Sequence, residues 1–279
     1  MGPQITCAKC QLQINADSTT CPHCASPSLY PNVTAVSGAA ERAALQARYE
    51  LQVQRAEEQN RKDLLNTFES LAKSTRACIS MPRWEIDRLV SKAGAVAATY
   101  FQQIEGNSRV PDNDEWDRLR RIADGAFFQS YGKAVHFAAL SSHDRWLWHY
   151  GDGAIFFKDE MIEHRATVFE ENTARWVRNC AGSFEIPPGS RATWADRHLL
   201  TVAKLGAEVL SADVNQDELI LHNGMDSAHD SFLEVHILLG YSIQSVDAVI
   251  IKEDALSPLT RQALIHQSSV GHFTYDVIP

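Results

Sequence analysis

Four cysteines near the start of the chain carry its most readable chemistry: Cys7-Ala8-Lys9-Cys10 and Cys21-Pro22-His23-Cys24. Two such pairs across a short polar loop supply four thiolates, the soft tetrahedral set that suits Zn²⁺, so residues 5–25 read as a zinc ribbon with Cys7, Cys10, Cys21 and Cys24 as ligands. A four-cysteine site is closed. Its metal is therefore structural, and any activity falls to the rest of the chain. There the residue of most interest is Glu234, inside the apolar run Phe232-Leu233-Glu234-Val235-His236-Ile237. A carboxylate on such a strand costs several kcal/mol unless it is paired or faces a cleft, whereas on the wet face of an edge strand it costs nothing. Close by in sequence, His222, His229, Asp230, Glu234 and His236 are all metal-ligand types, and Glu234 and His236 point to one side of a strand. That would permit a metal-dependent hydrolase or nuclease. No HExxH exists, however, and the nuclease pattern of Asp followed by Glu-x-Lys fails because His236 stands where the Lys belongs. A further polar group is compressed into Arg165 to Thr173, where Arg165 could grip a phosphate and Asn172 an amide or ribose; the plainer reading pairs Arg165 with Glu170 or Glu171.

These groups must be positioned by a chain of 279 residues, long enough for two folded units and a connector. With 44% hydrophobic and 22% charged residues it has the composition of an ordinary soluble protein with a sizeable core. A formal charge of -9 disfavours a protein that coats nucleic acid, and the ribbon loop from Gln11 to Thr20 has no Lys or Arg. The ribbon is thus expected to dock a protein partner or to staple the fold. No apolar run is long enough for a membrane span, and the opening residues lack a charged segment followed by an apolar one, so a cytoplasmic protein is expected. Unclustered Cys78 and Cys180 fit that reducing compartment.

In chain order, Ala25 to Gly38 reads as a Ser/Pro-rich linker. From Ala39 to about Thr75, apolar residues Leu45, Tyr49, Val53, Ala56, Leu64, Phe68 and Leu71 recur at threes and fours, predicting a long amphipathic helix. It is either a coiled coil that dimerises or spaces the ribbon from the body, or one helix packed on its own domain; Asn60 and Asp63 interrupt the stripe. Helices are expected over Trp84 to Ile104, bent at Gly94, and over Glu115 to Phe128, capped by Asp114. Strands are expected at Ala134–Leu140, Ala154–Phe157 and Leu219–Leu221, and helical structure at Asp159–Val177, Arg191–Leu210 and Thr260–Ile265. Phe232–Leu239 and Ile243–Ile251 read as strands joined in a hairpin at Gly240-Tyr241. The fold class is therefore α+β, divided into a zinc ribbon (1–30), a linker and helical connector (31–130) and a mixed α+β body (131–279).

The run Leu233-Glu234-Val235-His236-Ile237, then Gly240, Ile243 and Val246 to Ile251, resembles the end of ADP-ribosyltransferase domains, with His136 in Ala134-Val135-His136-Phe137 and Tyr150 in compatible order. The resemblance implies that Glu234 is a catalytic carboxylate, binding the nicotinamide-side ribose of NAD⁺ and stabilising the positive charge that develops as nicotinamide leaves. It further implies that His136 binds the other ribose and that Tyr150 stacks on nicotinamide; Arg165, from its own polar cluster and not from the resemblance, is a further candidate ligand contact. Phe232, where the arginine-modifying branch carries a second acid or Gln, does not support that branch, and the step from His136 to Tyr150 is short. The expected function is an NAD⁺-dependent transferase with a ribbon docking module. A non-catalytic interaction protein built on the ribbon and long helix is the alternative, with metal-dependent hydrolysis behind both.

Overall fold

The computed structural model of the chain describes residues 4–7, 10–15, 18, 20–26, 30–92, 94–107, 110, 115–180, 184–211 and 213–279. Asp114, the expected cap of the helix that follows it, lies outside them. The ribbon is a hairpin of β1 (Gln4–Thr6) and β2 (Gln13–Asn15), paired antiparallel. The body is organised on one sheet of eight strands: β3 (Arg76–Met81), β4 (Val135–Ser141), β5 (Gly153–Phe157), β6 (Ala166–Phe169), β7 (Arg191–Thr193) and, after a short pair β8 (Leu221–His222) and β9 (Ser231–Phe232), β10 (Glu234–Leu238), β11 (Val246–Lys252) and β12 (Thr274–Ile278). Their spatial order is β12-β11-β5-β3-β4-β10-β6-β7, antiparallel throughout except for β11 with β12. The described residues also form eleven α-helices, so the α+β class holds, with the four cysteines near the N-terminus. No helix among them is long and apolar enough to cross a membrane.

Register divides the sheet into two faces. Glu234 lies opposite Ala139 and Phe169, Ala139 opposite Cys78, and Cys78 opposite Phe156. Directly opposed residues share a side, and side chains alternate along a strand. One face therefore carries Phe169, Glu234, His236, Phe137, Ala139, Cys78 and Phe156. The other carries Val168, Val235, Ile237, Leu140, Ala77, Ile155, Val249 and Ile251, which are buried in the main apolar core beneath helices Ala39–Glu58, Lys62–Lys73 and Arg197–Ser211.

Several expectations are corrected by this arrangement. The long helix is a hairpin: Asn60 adopts φ 55°, and the Arg61 N–H returns to the Ala56 carbonyl, closing the first helix before Lys62 starts the second. Both halves pack on Arg197–Ser211, so the apolar stripe is spent inside the body rather than on a free coiled coil. Within the stretch read as a helical connector, β3 enters the centre of the sheet between β5 and β4. Its six residues sit between two helices and match no period strongly. The expected helix over Trp84 to Ile104 breaks into Arg83–Ser91 and Tyr100–Glu105 around Gly94 at φ 79°, the second starting with a capping box from Thr99 to Gln102. Asp159–Val177 resolves into helix Asp159–Ile162, strand β6 and helix Thr173–Asn179, while Arg191–Thr193 is strand rather than helix.

The hairpin at Gly240-Tyr241 does not exist. β10 runs between β4 and β6, whereas β11 runs between β5 and β12, with β5, β3 and β4 separating the two. The linker is also partly ordered: Pro31–Val36 is a short helix whose Asn32 side chain donates to the carbonyls of Arg165 (2.8 Å) and His236 (3.2 Å). These bonds tie the helix to the backbone of β10 and of the residue that precedes β6.

Candidate functional site

Glu234 opens β10 in the interior of the sheet and is 1% exposed. Its burial is compensated by donors from two helices. Arg120, on Glu115–Phe128, donates to Oε1 at 3.0 Å; the Thr173 backbone N–H and hydroxyl, at the start of Thr173–Asn179, donate to Oε2 at 2.8 and 2.6 Å. His236 Nε2 stands 3.4 Å from the same oxygen, its ring among Phe127, Phe128 and Phe137. The Arg120 guanidinium lies 4.0 Å over the Phe137 ring and also donates to Thr173 Oγ1. Burial by itself would raise the Glu234 pKa. The Arg120 charge and the His236 and Thr173 hydrogen bonds outweigh it and hold the carboxyl at about 2, so it is ionised at neutral pH.

One turn after Arg120, Asp124 is buried and neither of its carboxyl oxygens has a hydrogen-bond partner among the described residues. Burial and the nearby Glu234 charge push it up to about 7 against the pull of Arg120. The two carboxyls therefore act on stability with opposite sign. Glu234, depressed, contributes stability that is complete above its ordinary value of 4.5 and is lost as pH falls towards 2, about 3 kcal/mol in all. Asp124, elevated, favours the folded state while protonated and costs stability as pH rises from its ordinary 3.8 towards 7. Urea unfolding at a series of pH values should show the loss on the acid side in the wild type. In Asp124→Asn the decline between about pH 4 and 7 should flatten; an unchanged slope would remove Asp124 as its source.

Glu234 borders a cavity of about 120 Å³, with Arg120, Phe137, Cys78, Ser80 and Tyr150 among its walls. A second cavity of about 420 Å³, walled by Tyr100, Trp116, His149 and Ser227, shares Arg120, Phe137, Tyr150 and Asn172 with the first. Together they form one cleft: a narrow floor at Glu234 and a wider, aromatic mouth.

The other expected site residues divide. Tyr150 ends the short helical turn Trp148–Tyr150 and lines both cavities. His136 does not converge with Glu234. It opposes Ile237, three residues along β4 from Ala139, and an odd step places it on the far face, where its ring packs 4.8 Å from Tyr241 in the main core. Burial holds its pKa down at about 3, which keeps it neutral. Arg165 is not available to a phosphate: Nη1 donates to the carbonyls of Leu238, Leu239 and Gly240 at 2.6, 2.9 and 3.1 Å, and Nε to Met161. It ties off the end of β10, and the alternative pairing with Glu170 or Glu171 is absent too, since Glu170 pairs with Arg48 and Glu171 faces Lys204. Asn172 lines the cleft and caps Thr173–Asn179 by accepting from Arg175 N.

Of the candidate ligands His222, His229, Asp230, Glu234 and His236, only Glu234 and His236 meet: His229 binds Asp226, Asp230 binds His149, and Glu234 also binds Arg120. Among the described residues the four cysteines form the group able to hold a metal ion such as zinc, with all ligand atoms within 4.8 Å of one another. Sγ of Cys7 and Cys24 are 3.7 Å apart and those of Cys10 and Cys21 3.6 Å, too far for disulfides. Four sulfurs about 2.3 Å from one tetrahedral Zn²⁺ would lie roughly 3.8 Å from each other, so the donor set fits the ion. Cys7, Ile14 and Cys21 join one apolar cluster with Phe127, Phe128, Tyr131 and Leu238, which seats the ribbon against the helix that carries Arg120.

Arg120 carries no local signal of its role, and Thr173, though part of the polar run from Arg165, carries none of its bond to Glu234, because both depend on which helices the sheet brings to that residue. No family model matches the chain, and no curated protein matches it significantly.

Proposed function

We propose that the chain is an NAD⁺-consuming transferase of ADP-ribosyltransferase type, with Glu234 as the catalytic carboxylate. The observation that carries this reading is a carboxylate that is buried, ionised and yet borders a cavity with aromatic walls. Such a group, already fixed by Arg120 and Thr173, stabilises the cationic ribose as its bond to nicotinamide breaks, without having to reorient at that moment. Phe137 and Tyr150 supply flat surfaces for the nicotinamide ring, and Arg120 offers a cation to the diphosphate. His136 and Arg165 take no part. The ribbon, holding Zn²⁺ on its four cysteines, is assigned a stapling role, and its thiols suit the reducing cytoplasm.

A second reading, a non-catalytic interaction protein, draws on the same ion pair, because both Glu234 oxygens already have protein donors. The two separate on one experiment. Incubated with NAD⁺, the wild type should release nicotinamide, and Glu234→Gln should release it at least about 100-fold more slowly. Equal rates in the two proteins, or none in either, would sink the enzymatic reading.

A further inference from the structure

At the mouth of the cleft stands a second pair of titratable groups with no role in the account above. His149 Nδ1 lies 3.0 and 3.1 Å from the two carboxylate oxygens of Asp230, which is 2% exposed. Asp230 Oδ1 also accepts from the Gly224 backbone N–H at 2.8 Å, and that close approach requires a residue without Cβ, since one at position 224 would stand 2.6 Å from the His229 backbone. A carboxylate only accepts, so it fixes the hydrogen of a neutral imidazole on Nδ1 and leaves the lone pair on Nε2. That nitrogen accepts from the indole N–H of Trp148 at 3.3 Å, a long contact with a residue that is 52% exposed. His149 lines the outer cavity together with Tyr150 and Arg120, both of which also line the floor at Glu234.

One helix supports both ends of this cleft. Thr173–Asn179 gives Thr173 to Glu234, while Arg175 from the same first turn donates to the Asp230 carbonyl at 3.0 Å. Asn172, which caps that helix, lines both cavities. A buried acid orienting an imidazole that lines a cavity and keeps 23% of its side chain exposed is the arrangement that general-base catalysis requires.

We propose that His149, oriented by Asp230, is the general base that activates the acceptor hydroxyl, so that the cleft takes a hydroxyl-bearing acceptor, or water, at its mouth. This rests on the transferase reading given above. In the step, the acceptor O–H proton passes to His149 Nε2 and the oxygen forms a bond to ribose C1′. The C1′–N bond breaks, and nicotinamide leaves as the neutral base with its electron pair. His149 acts on the reacting hydroxyl; Asp230 is a positioning residue.

The test uses the full chain and water as acceptor, following nicotinamide release from NAD⁺ in wild type, His149→Ala, His149→Gln and Asp230→Asn, with folding checked by circular dichroism. Both His149 variants should lose roughly 100-fold in kcat with KM for NAD⁺ little changed, and Asp230→Asn should lose activity as well. Sodium azide, a nucleophile that brings no proton to remove, should restore nicotinamide release in His149→Ala but not in Glu234→Gln, and should yield the ribosyl azide. Retained activity in the folded His149 variants, or loss that azide does not relieve, overturns the base assignment while leaving the role of Glu234 standing. A wild type that leaves NAD⁺ intact overturns both.

Discussion

Glu234→Ala is expected to destabilise the fold by about 3–5 kcal/mol, the cost of breaking a buried ion pair from one side. The loss arises mainly from what remains behind. Arg120 would stay largely buried against Phe137 without its counter-ion, and the Thr173 N–H and hydroxyl would lose the oxygen they both reach. Arg120 borders the cleft and keeps 20% of its side-chain surface in contact with solvent, so water can relieve part of the charge and the lower half of that range is expected. Glu234→Gln should cost less, because its amide oxygen can still accept from Thr173. Pairing it with Arg120→Met should cost less than the sum of the two single changes, since the double variant strands no charge. Urea unfolding at pH 7 gives the four free energies of that cycle. A Glu234→Ala variant within 1 kcal/mol of wild type would mean that the carboxylate is not the partner that holds Arg120 inside.

The contrast between the alanine and glutamine variants also separates the structural from the chemical use of this group. If Glu234 only anchors two helices, Glu234→Gln is a nearly folded and nearly normal protein. If it also stabilises a cationic ribose, the same variant is folded and inert, because an amide cannot neutralise the positive charge.

What could be read from the residues alone was what is local. The cysteine pairs announce their cluster because ligand spacing within a knuckle is set by a few bonds, and Glu115–Phe128 is legible because Trp116, Leu119, Ala123 and Phe127 repeat at helical steps. Glu234 stood out because an acid in an apolar strand demands a partner, but the partner, Arg120, is 114 residues away and no local pattern points to it. His136 was misplaced for a related reason. Its strand was identified, yet whether it faces Glu234 depends on β4 pairing Ala139 rather than a neighbour with that residue, and a shift by one would exchange the faces. The supposed hairpin of β10 and β11 failed because adjacency in sequence is only a tendency, here overridden by Arg165 turning the chain away at Leu238 to Gly240. The dyad of His149 and Asp230 spans 81 residues and carries no signature at all.

Removing the metal should reach further than the ribbon. Hairpin β1–β2 has three residues in each strand, too little to stand alone in water, so its order is expected to depend on a metal held by the four thiolates and on the apolar cluster it shares with the body. In isolated zinc-binding peptides such sites contribute about 10–16 kcal/mol of folding free energy, far above anything Ile14 alone could supply by burial. Chelation, or Cys21→Ser at a cysteine that is 1% exposed, should therefore unfold the ribbon and uncover Phe127, Phe128 and Tyr131. Phe127 and Phe128 end the helix that carries Arg120 and flank His236, so loosening them should reach the donors of Glu234. The expected result is one zinc per chain by elemental analysis. After chelation, amide exchange should rise in Glu115–Phe128 as well as in the ribbon, with a fall in thermal midpoint of several degrees. Faster exchange confined to residues 4–26 would show that the ribbon hangs on the body without bracing it, and protein purified free of metal yet equally stable would remove zinc from the account.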